Sequence, residues 1–319
     1  MRTDLLGAYL NTFEDRTINH TQVTRAQNLE MNPSLKTLIQ SADLEFLMEA
    51  HNGLSAKIVA ETGFKGIWAS GLTMSSSLGL RDCNEASWSE VLQQVEYMRD
   101  SVEIPILLDG DSGFGDFNNV RRLVEKLEKR GVDGICIEDK VFPKRNSFMK
   151  TPQQLADVEE FSGKLKAAKD TQKRADFCVV ARLEGFIAGA SQNEVLTRAH
   201  LYQEAGADAL LVHSKLNDAQ QILGFAEQWQ GNAPLIIVPT TYYGVATDDF
   251  RHAGISVAIW ANHTLRASIA AMQAACLTVF EEQSVAAIES SITSIDEIMR
   301  IQNCDELYDA EKKYLPNSN

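Results

Sequence analysis

Three observations predict an α/β fold closed as a (β/α)8 TIM-type barrel. Short β-rich runs alternate with longer amphipathic stretches along most of the 319 residues. Eight such strand–helix pairs follow one another, the number that closes a barrel. The strand candidates are almost continuously apolar, as parallel strands covered on both faces are. A doubly wound open sheet is disfavoured, because no GxGxxG follows the first strand.

Residues 1–37 carry weak periodicity and are predicted to form a peripheral arm, with one helix around Leu5 to Phe13. The barrel and a C-terminal helical extension are predicted over 38–319. Strand 1 is read at 45–48, before a helix over 54–62; strand 2 at 66–68, before 87–98. Strand 3 is read at 105–108, before 118–129; strand 4 at 134–137, before 152–169. Strand 5 is read at 177–181, before 192–205; strand 6 at 209–212, before 219–229. Strand 7 is read at 235–238, with a short segment ending near 253; strand 8 at 256–260, before 265–280. Gly66 and Gly134 mark returns from helix to strand, where glycine is expected to supply a left-handed cap. Residues 283–315 read as one or two further helices, with a capping signal from Ser294 to Glu297.

The bulk numbers exclude several classes. A net charge of −14 argues against a broad nucleic-acid or anionic-membrane surface, though not against an anionic substrate in a locally positive pocket. No apolar run approaches the roughly 20 residues that span a bilayer. Residues 1–30 have no apolar core of a secretory signal. The 5 cysteines are scattered, with no CxxC pair, and read as reduced thiols of a cytoplasmic protein.

Barrel chemistry sits at the carboxyl ends of the strands. Those ends read Glu49 and His51; Ser70-Gly71-Leu72 with Asp82 further along; Asp109 and Asp111; Glu138-Asp139-Lys140; Arg182 and Glu184; His213 and Ser214; Thr240 and Thr241; Asn262 and His263. A lone Asp after a strand is more often a helix cap or loop solvator, and Asp116 and Asp133 fall in that class. Asp109, Asp111 and Glu138 together do not. Acids on adjacent strands repel one another without a cation. All-oxygen ligation favours Mg²⁺, or Mn²⁺, over zinc. Arg182 and the amides of Ser70-Gly71-Leu72 suit an anion, since Arg pairs bidentately with carboxylate or phosphoryl oxygens. The residues alone leave Arg182 open to an ion pair with Glu184 or Glu138. They leave His213 open to a role as a satisfied core histidine, and Trp68 to one in the core. The loop 138–148 follows the acids with Lys140, Lys144 and Arg145, and reads as a lid that excludes water or as a solvated surface loop.

The run from Glu138 to Ser147 resembles the EDKxFPKxNS signature of phosphoenolpyruvate phosphonomutases, in the isocitrate lyase superfamily. The resemblance extends over 49–55, 66–71, 81–88, 108–119, 180–182, 213–215 and 259–263, and covers roughly residues 38–316. It implies interconversion of phosphoenolpyruvate and phosphonopyruvate. It implies that Asp109 binds Mg²⁺ directly, with Asp111 and Glu138 acting largely through its waters. Trp68, Ser70, Gly71 and Leu72 would line the substrate site, with Ser214 beside them. Arg182 and His213 would contact the phosphoryl group. Asp82 would sit at the reacting centre as nucleophile or orienter, and Lys144 and Asn146 would belong to a gating loop. A homo-oligomer, dimer or tetramer, with C-terminal helices swapped between subunits is implied as well.

Position 110 is Gly where Ala is common in the family, and 112 is Ser where Thr is common. The nearest alternative is phosphonopyruvate hydrolase, on the same fold, from which Asn146 is the discriminating position. Lyases of the superfamily use a KxCGH loop whose Cys is the acid; Lys144-Arg145-Asn146-Ser147 has none. A mutase acting on a carboxylated phosphoenolpyruvate stays open. A non-catalytic binding barrel would be expected to lose the three acids, and all are present.

Overall fold

The structure, a computed structural model, describes residues 32–316. The expected helix near Leu5 to Phe13 lies outside the described residues. The strands are β1 (Glu45–Ala50), β2 (Ile67–Ala69), β3 (Ile106–Asp109), β4 (Gly134–Glu138), β5 (Cys178–Leu183), β6 (Ala209–Val212), β7 (Leu235–Ile237) and β8 (Ile255–Trp260). All pair in parallel and in chain order, and Glu45 of β1 lies opposite Val257 of β8, so the sheet closes. This is the (β/α)8 barrel that the alternation predicted.

Local chemistry starts the helices where it should. Asn52, Ser87 and Asp116 cap the helices Gly53–Thr62, Trp88–Ser101 and Phe117–Lys129 with reciprocal capping boxes, as read for Asp116. Asp133 is no loop solvator: it accepts from the Ile106 amide (2.9 Å) and pairs with Arg99 and Arg174. The helix expected over 152–169 begins only at Val158, behind an Asp157 cap. The preceding residues run extended instead. Val141 donates to the Gln154 carbonyl and Ala156 to that of Asp139, so the segment is spent on holding the loop after β4.

Two glycine readings need correction. Gly66 and Gly134 are not left-handed; Gly63, Gly131, Gly206 and Gly254 are, one to four residues before the strands begin. Gly66 and Gly134 are glycine for room. A Cβ would come within 2.6 Å of Leu47 at Gly66, and within 2.6 Å of Leu35 at Gly134. The break expected between 37 and 38 falls inside a helix, Leu35–Ile39, whose Leu35, Leu38 and Ile39 are buried against Leu47, Leu107 and Cys136. Residues 35–37 therefore sit with the barrel.

The described chain divides into two compact units, 32–265 and 266–316. The first holds the barrel. The second continues the helix His263–Glu282 and adds Ile295–Ile301 and Cys304–Tyr314. Ser294 caps the first of these by accepting from the Glu297 amide (3.2 Å), as its spacing predicted. Met272, Leu277, Phe280 and Ile295 of this unit are exposed. Among the described residues no helix is long and apolar enough to cross a membrane.

Strand alternation sorts the barrel into two cores. Ile106, Leu108, Ile135, Ile137, Val179 and Ala181 pack in the cluster that includes Phe161, Leu165 and Tyr202 of the surrounding helices. Trp68, Leu107, Cys136, Val180, Leu211 and Ile236 form a separate inner cluster with Leu35, Leu38 and Ile39. Two residues on from an inner position, the side chain again faces in. That rule carries Leu107 to Asp109, Cys136 to Glu138, Val180 to Arg182 and Leu211 to His213.

Candidate active site

These inward positions converge on a small cavity of about 50 Å³. It is lined by Trp68, Ser70, Leu72, Asp82, Asp109, Glu138, Lys144, Asn146, Arg182 and His213, and further by Lys140, Ser147, Thr240 and Asn262. A larger open groove of about 410 Å³ runs between the helices Trp88–Ser101 and Phe117–Lys129 and contains none of the strand-end acids. The chemistry therefore belongs to the smaller space.

The acids occupy the β3–β4 side. Asp109 accepts from the Gly71 amide (3.2 Å) and the Asp111 amide (3.3 Å). Asp111, in the left-handed region at φ 49°, accepts from the Asn84 side chain (2.7 Å). Its other oxygen lies 2.6 Å from the Lys144 ammonium, an ion pair without hydrogen-bond geometry. Glu138 leaves Oε1 with no hydrogen-bond partner, 3.8 Å from Lys140. Burial pushes Asp111 up to about 8, with Lys144 opposing and Asp109 and Asp82 adding to the rise. Burial pushes Glu138 up to about 6, with Glu184 adding and Lys140 and Arg182 opposing. Among the described residues no group of three acidic, His or Cys side chains stands ready around a metal. Lys144 is the cation that reaches Asp111. The donor set nevertheless suits a hard divalent ion: buried carboxylates, two oxygens short of hydrogen bonds and raised affinity for a proton all mark negative charge short of a partner.

The basic groups occupy the β5–β6 side, gathered on one carboxylate that the sequence did not single out. Glu184 is fully buried. Its Oε1 accepts from Arg182 Nε (2.6 Å) and lies 2.6 Å from His213 Nδ1. Its Oε2 accepts from Ser147 (2.8 Å) and pairs with Lys140 (2.9 Å). Burial disfavours the charged form of Glu184, but Arg182 and His213 outweigh it and hold the carboxyl well below its usual range. Burial likewise lowers His213, with Glu184 opposing. The ion pair read as an alternative for Arg182 is thus real, and it leaves Arg182 on the cavity wall. His213 and Trp68 line the cavity too; Trp68 does so from within the inner core.

The loop after β4 closes over both sides. Lys144 is 4% exposed and reaches Asp82 (2.8 Å) as well as Asp111. Asn146 donates to the other oxygen of Asp82. Burial raises the Asp82 carboxyl, but Lys144, Asn146 and Arg182 together more than offset it, so Asp82 is held below its usual range. Lys140 and Ser147 fasten the same loop to Glu184. The segment is therefore not simply solvated: Lys140, Lys144 and Ser147 are buried in it, while Val141, Phe142 and Phe148 are exposed.

Several expected site residues lie elsewhere. Ser214 faces away: its hydroxyl donates to Gln221 (2.7 Å) and it does not line the cavity, as alternation from His213 requires. The Ser70 and Gly71 amides are already spent, on the Ala50 carbonyl and on Asp109. Gly71 instead gives the acids room, since a Cβ there would come 3.0 Å from Asp111. Glu49 caps the helix His263–Glu282 by accepting from the Thr264 and Leu265 amides, and also binds His51 (2.7 Å). Glu184 was read only as a partner for Arg182, Lys140 only as part of the loop and Thr240 only as a strand-end residue; nothing local pointed to Asn84.

The phosphoenolpyruvate phosphomutase family model matches residues 35–280. The chain is 54% identical over 282 residues to a phosphoenolpyruvate phosphomutase of Tetrahymena pyriformis, covering 88% of this chain and 94% of that one. A crystal structure of phosphoenolpyruvate phosphomutase from Streptomyces platensis subsp. rosaceus superimposes with a TM-score of 0.87 at 38% identity, covering 88% and 98% of the two chains. A phosphonopyruvate hydrolase in complex with oxalate and Mg²⁺ superimposes with a TM-score of 0.83 at 35% identity, covering 88% and 98%.

Proposed function

We propose a function from one premise: the chain belongs to the phosphoenolpyruvate phosphomutase family. The protein is an enzyme that moves a phosphoryl group between the oxygen of phosphoenolpyruvate and the carbon of phosphonopyruvate. The observation that carries this reading is the loop that bridges the two sides of one small cavity. Lys144 and Asn146 meet Asp82 and Asp111, while Lys140 and Ser147 meet Glu184. A phosphoryl group that leaves one atom and must rejoin another needs positioning, charge balance and absence of water more than proton transfer.

Arg182 and His213 hold the phosphoryl end, oriented from behind by Glu184. Trp68, Ser70 and Leu72 bound the pyruvyl end. Asp82 acts as an orienter in the closed state, because both its oxygens are engaged by the loop. Lys144 and Asn146 seal the cavity against water. Asp109, Asp111 and Glu138 would hold Mg²⁺, or Mn²⁺, whose chemistry is to polarise the enolate oxygen. The exposed apolar side chains of residues 266–316 support assembly as a homo-oligomer by exchange of C-terminal helices. Five free cysteines support a cytoplasmic setting.

Phosphorus NMR on the protein given phosphonopyruvate and Mg²⁺ tests the reading. A phosphoenolpyruvate signal is expected. Inorganic phosphate with pyruvate would reassign the enzyme as a hydrolase, and no turnover would sink both.

A further inference from the structure

Asn84 stands between the acids and the loop, and the mechanism above does not use it. Its backbone is left-handed at φ 59°, a conformation that Asn tolerates better than most residues. Half-buried there, it spends both ends of its amide on groups distant in the chain. Nδ2 donates to Asp111 Oδ2 (2.7 Å), 27 positions on. Oδ1 accepts from the backbone N–H of Lys144 (2.6 Å), 60 positions on.

These bonds differ in kind from the other fastenings of the loop. Lys144 and Asn146 reach down with their side chains, whereas Asn84 reaches up and holds the loop by its backbone. The Lys144 N–H is held whatever the Lys144 side chain does. Asn84 is also neutral. It can bind a carboxylate on one side and an amide on the other without adding charge to an already crowded set of acids. Aspartate could not donate to Asp111 and would add one more charge.

We propose that Asn84 is a positioning residue that ties closure of the gating loop to the placement of Asp111. The loop then shuts fully only when Asp111 is set, and the acid is set by the shut loop in return. The proposal rests on the reading of residues 140–148 as a gate over a mutase site, and is tested by a measurement that needs no turnover.

Trypsin cuts after Lys and Arg, and the gate carries Lys140 and Lys144, which are buried, and Arg145, which is exposed. Cutting after Lys144 requires the gate to open. The cleavage rate after Lys144 and Arg145 can be followed by mass spectrometry on the full chain, with and without Mg²⁺ plus oxalate. Asn84→Gly keeps the left-handed backbone and removes both bonds. It should be cut at the gate about tenfold faster or more, with other tryptic sites and the melting temperature unchanged. Asn84→Asp keeps the acceptor and should fall between Gly and wild type. In the same variants the share of phosphonopyruvate that ends as inorganic phosphate should rise, which a purely structural role would not produce. Gate cleavage at the wild-type rate in both variants overturns the proposal. So does faster cleavage at all sites in both, which would assign Asn84 to folding. Should the NMR assay show no turnover in wild type, the mutase reading fails while the cleavage result still stands for or against Asn84.

Discussion

The lower and upper ends of the barrel interior are built from the same strands, on the same face and at nearly the same burial, yet burial acts on them with opposite sign. Below, Leu35, Leu38 and Ile39 plug the barrel against Leu47, Leu107 and Cys136. Each apolar Å² removed from water there stabilises the fold by about 25 cal/mol. Above, Asp109, Glu138 and His213 are 5%, 2% and 4% exposed. There the same exclusion of water raises the energy of every charge that lacks a partner. The lower end is satisfied as it stands. The upper end is organised around groups that a ligand would complete, and the raised carboxyls of Asp111 and Glu138 record it.

Three changes would break or sharpen this contrast. The largest effect is expected from Asp109→Ala at the upper end. Conversion of phosphonopyruvate should fall on the order of a thousandfold, while calorimetry finds the fold intact, since a buried charge has been removed. A matching loss of stability would erase the distinction between the ends. Leu38→Ala at the lower end should do the reverse: denaturant unfolding should show a loss of about 2–5 kcal/mol, with the turnover of the folded fraction unchanged. The smallest and most graded effect concerns pH. A cation binds the deprotonated acids, and burial raises their affinity for a proton, to about 8 for Asp111 and about 6 for Glu138. Mg²⁺ affinity, followed by calorimetric titration, should therefore rise with pH, about tenfold per unit between 6 and 8 and more steeply below 6. A flat profile would mean that these acids are not the ligands.

The contrast also explains what could be read from the chain. Strand identity is a local property, so strand-end position alone gathered Asp109, Glu138, Arg182 and His213 as candidates, and inward parity, equally local, puts all four on one face. The same parity, applied one residue further, would have excluded Ser214. Glu184 was visible only as a partner for Arg182, because its role depends on Lys140, Ser147 and His213, which approach it from other strands and from the loop. Asn84 had no local signal at all: a polar residue in a loop is ordinary until Asp111 and Lys144 are seen on either side of it. The plug helix was hidden for a related reason. Five residues are too few to show a period, and its apolar side chains make sense only against the underside of the strands.

Unbroken parity from plug to cavity has a consequence for how such a chain can change over time. One residue inserted within Ile106–Asp109 would turn Asp109 out toward the helices and bring its neighbour in. Substitutions in the strands alter the site by degrees, but insertions and deletions there would invert it. Changes of length are tolerable only in the connections, and the longest departure from regular structure among the described residues, the segment between β4 and Val158, is the one that lies over the cavity. The part of the sequence free to vary in length is thus the part that stands directly against the acids.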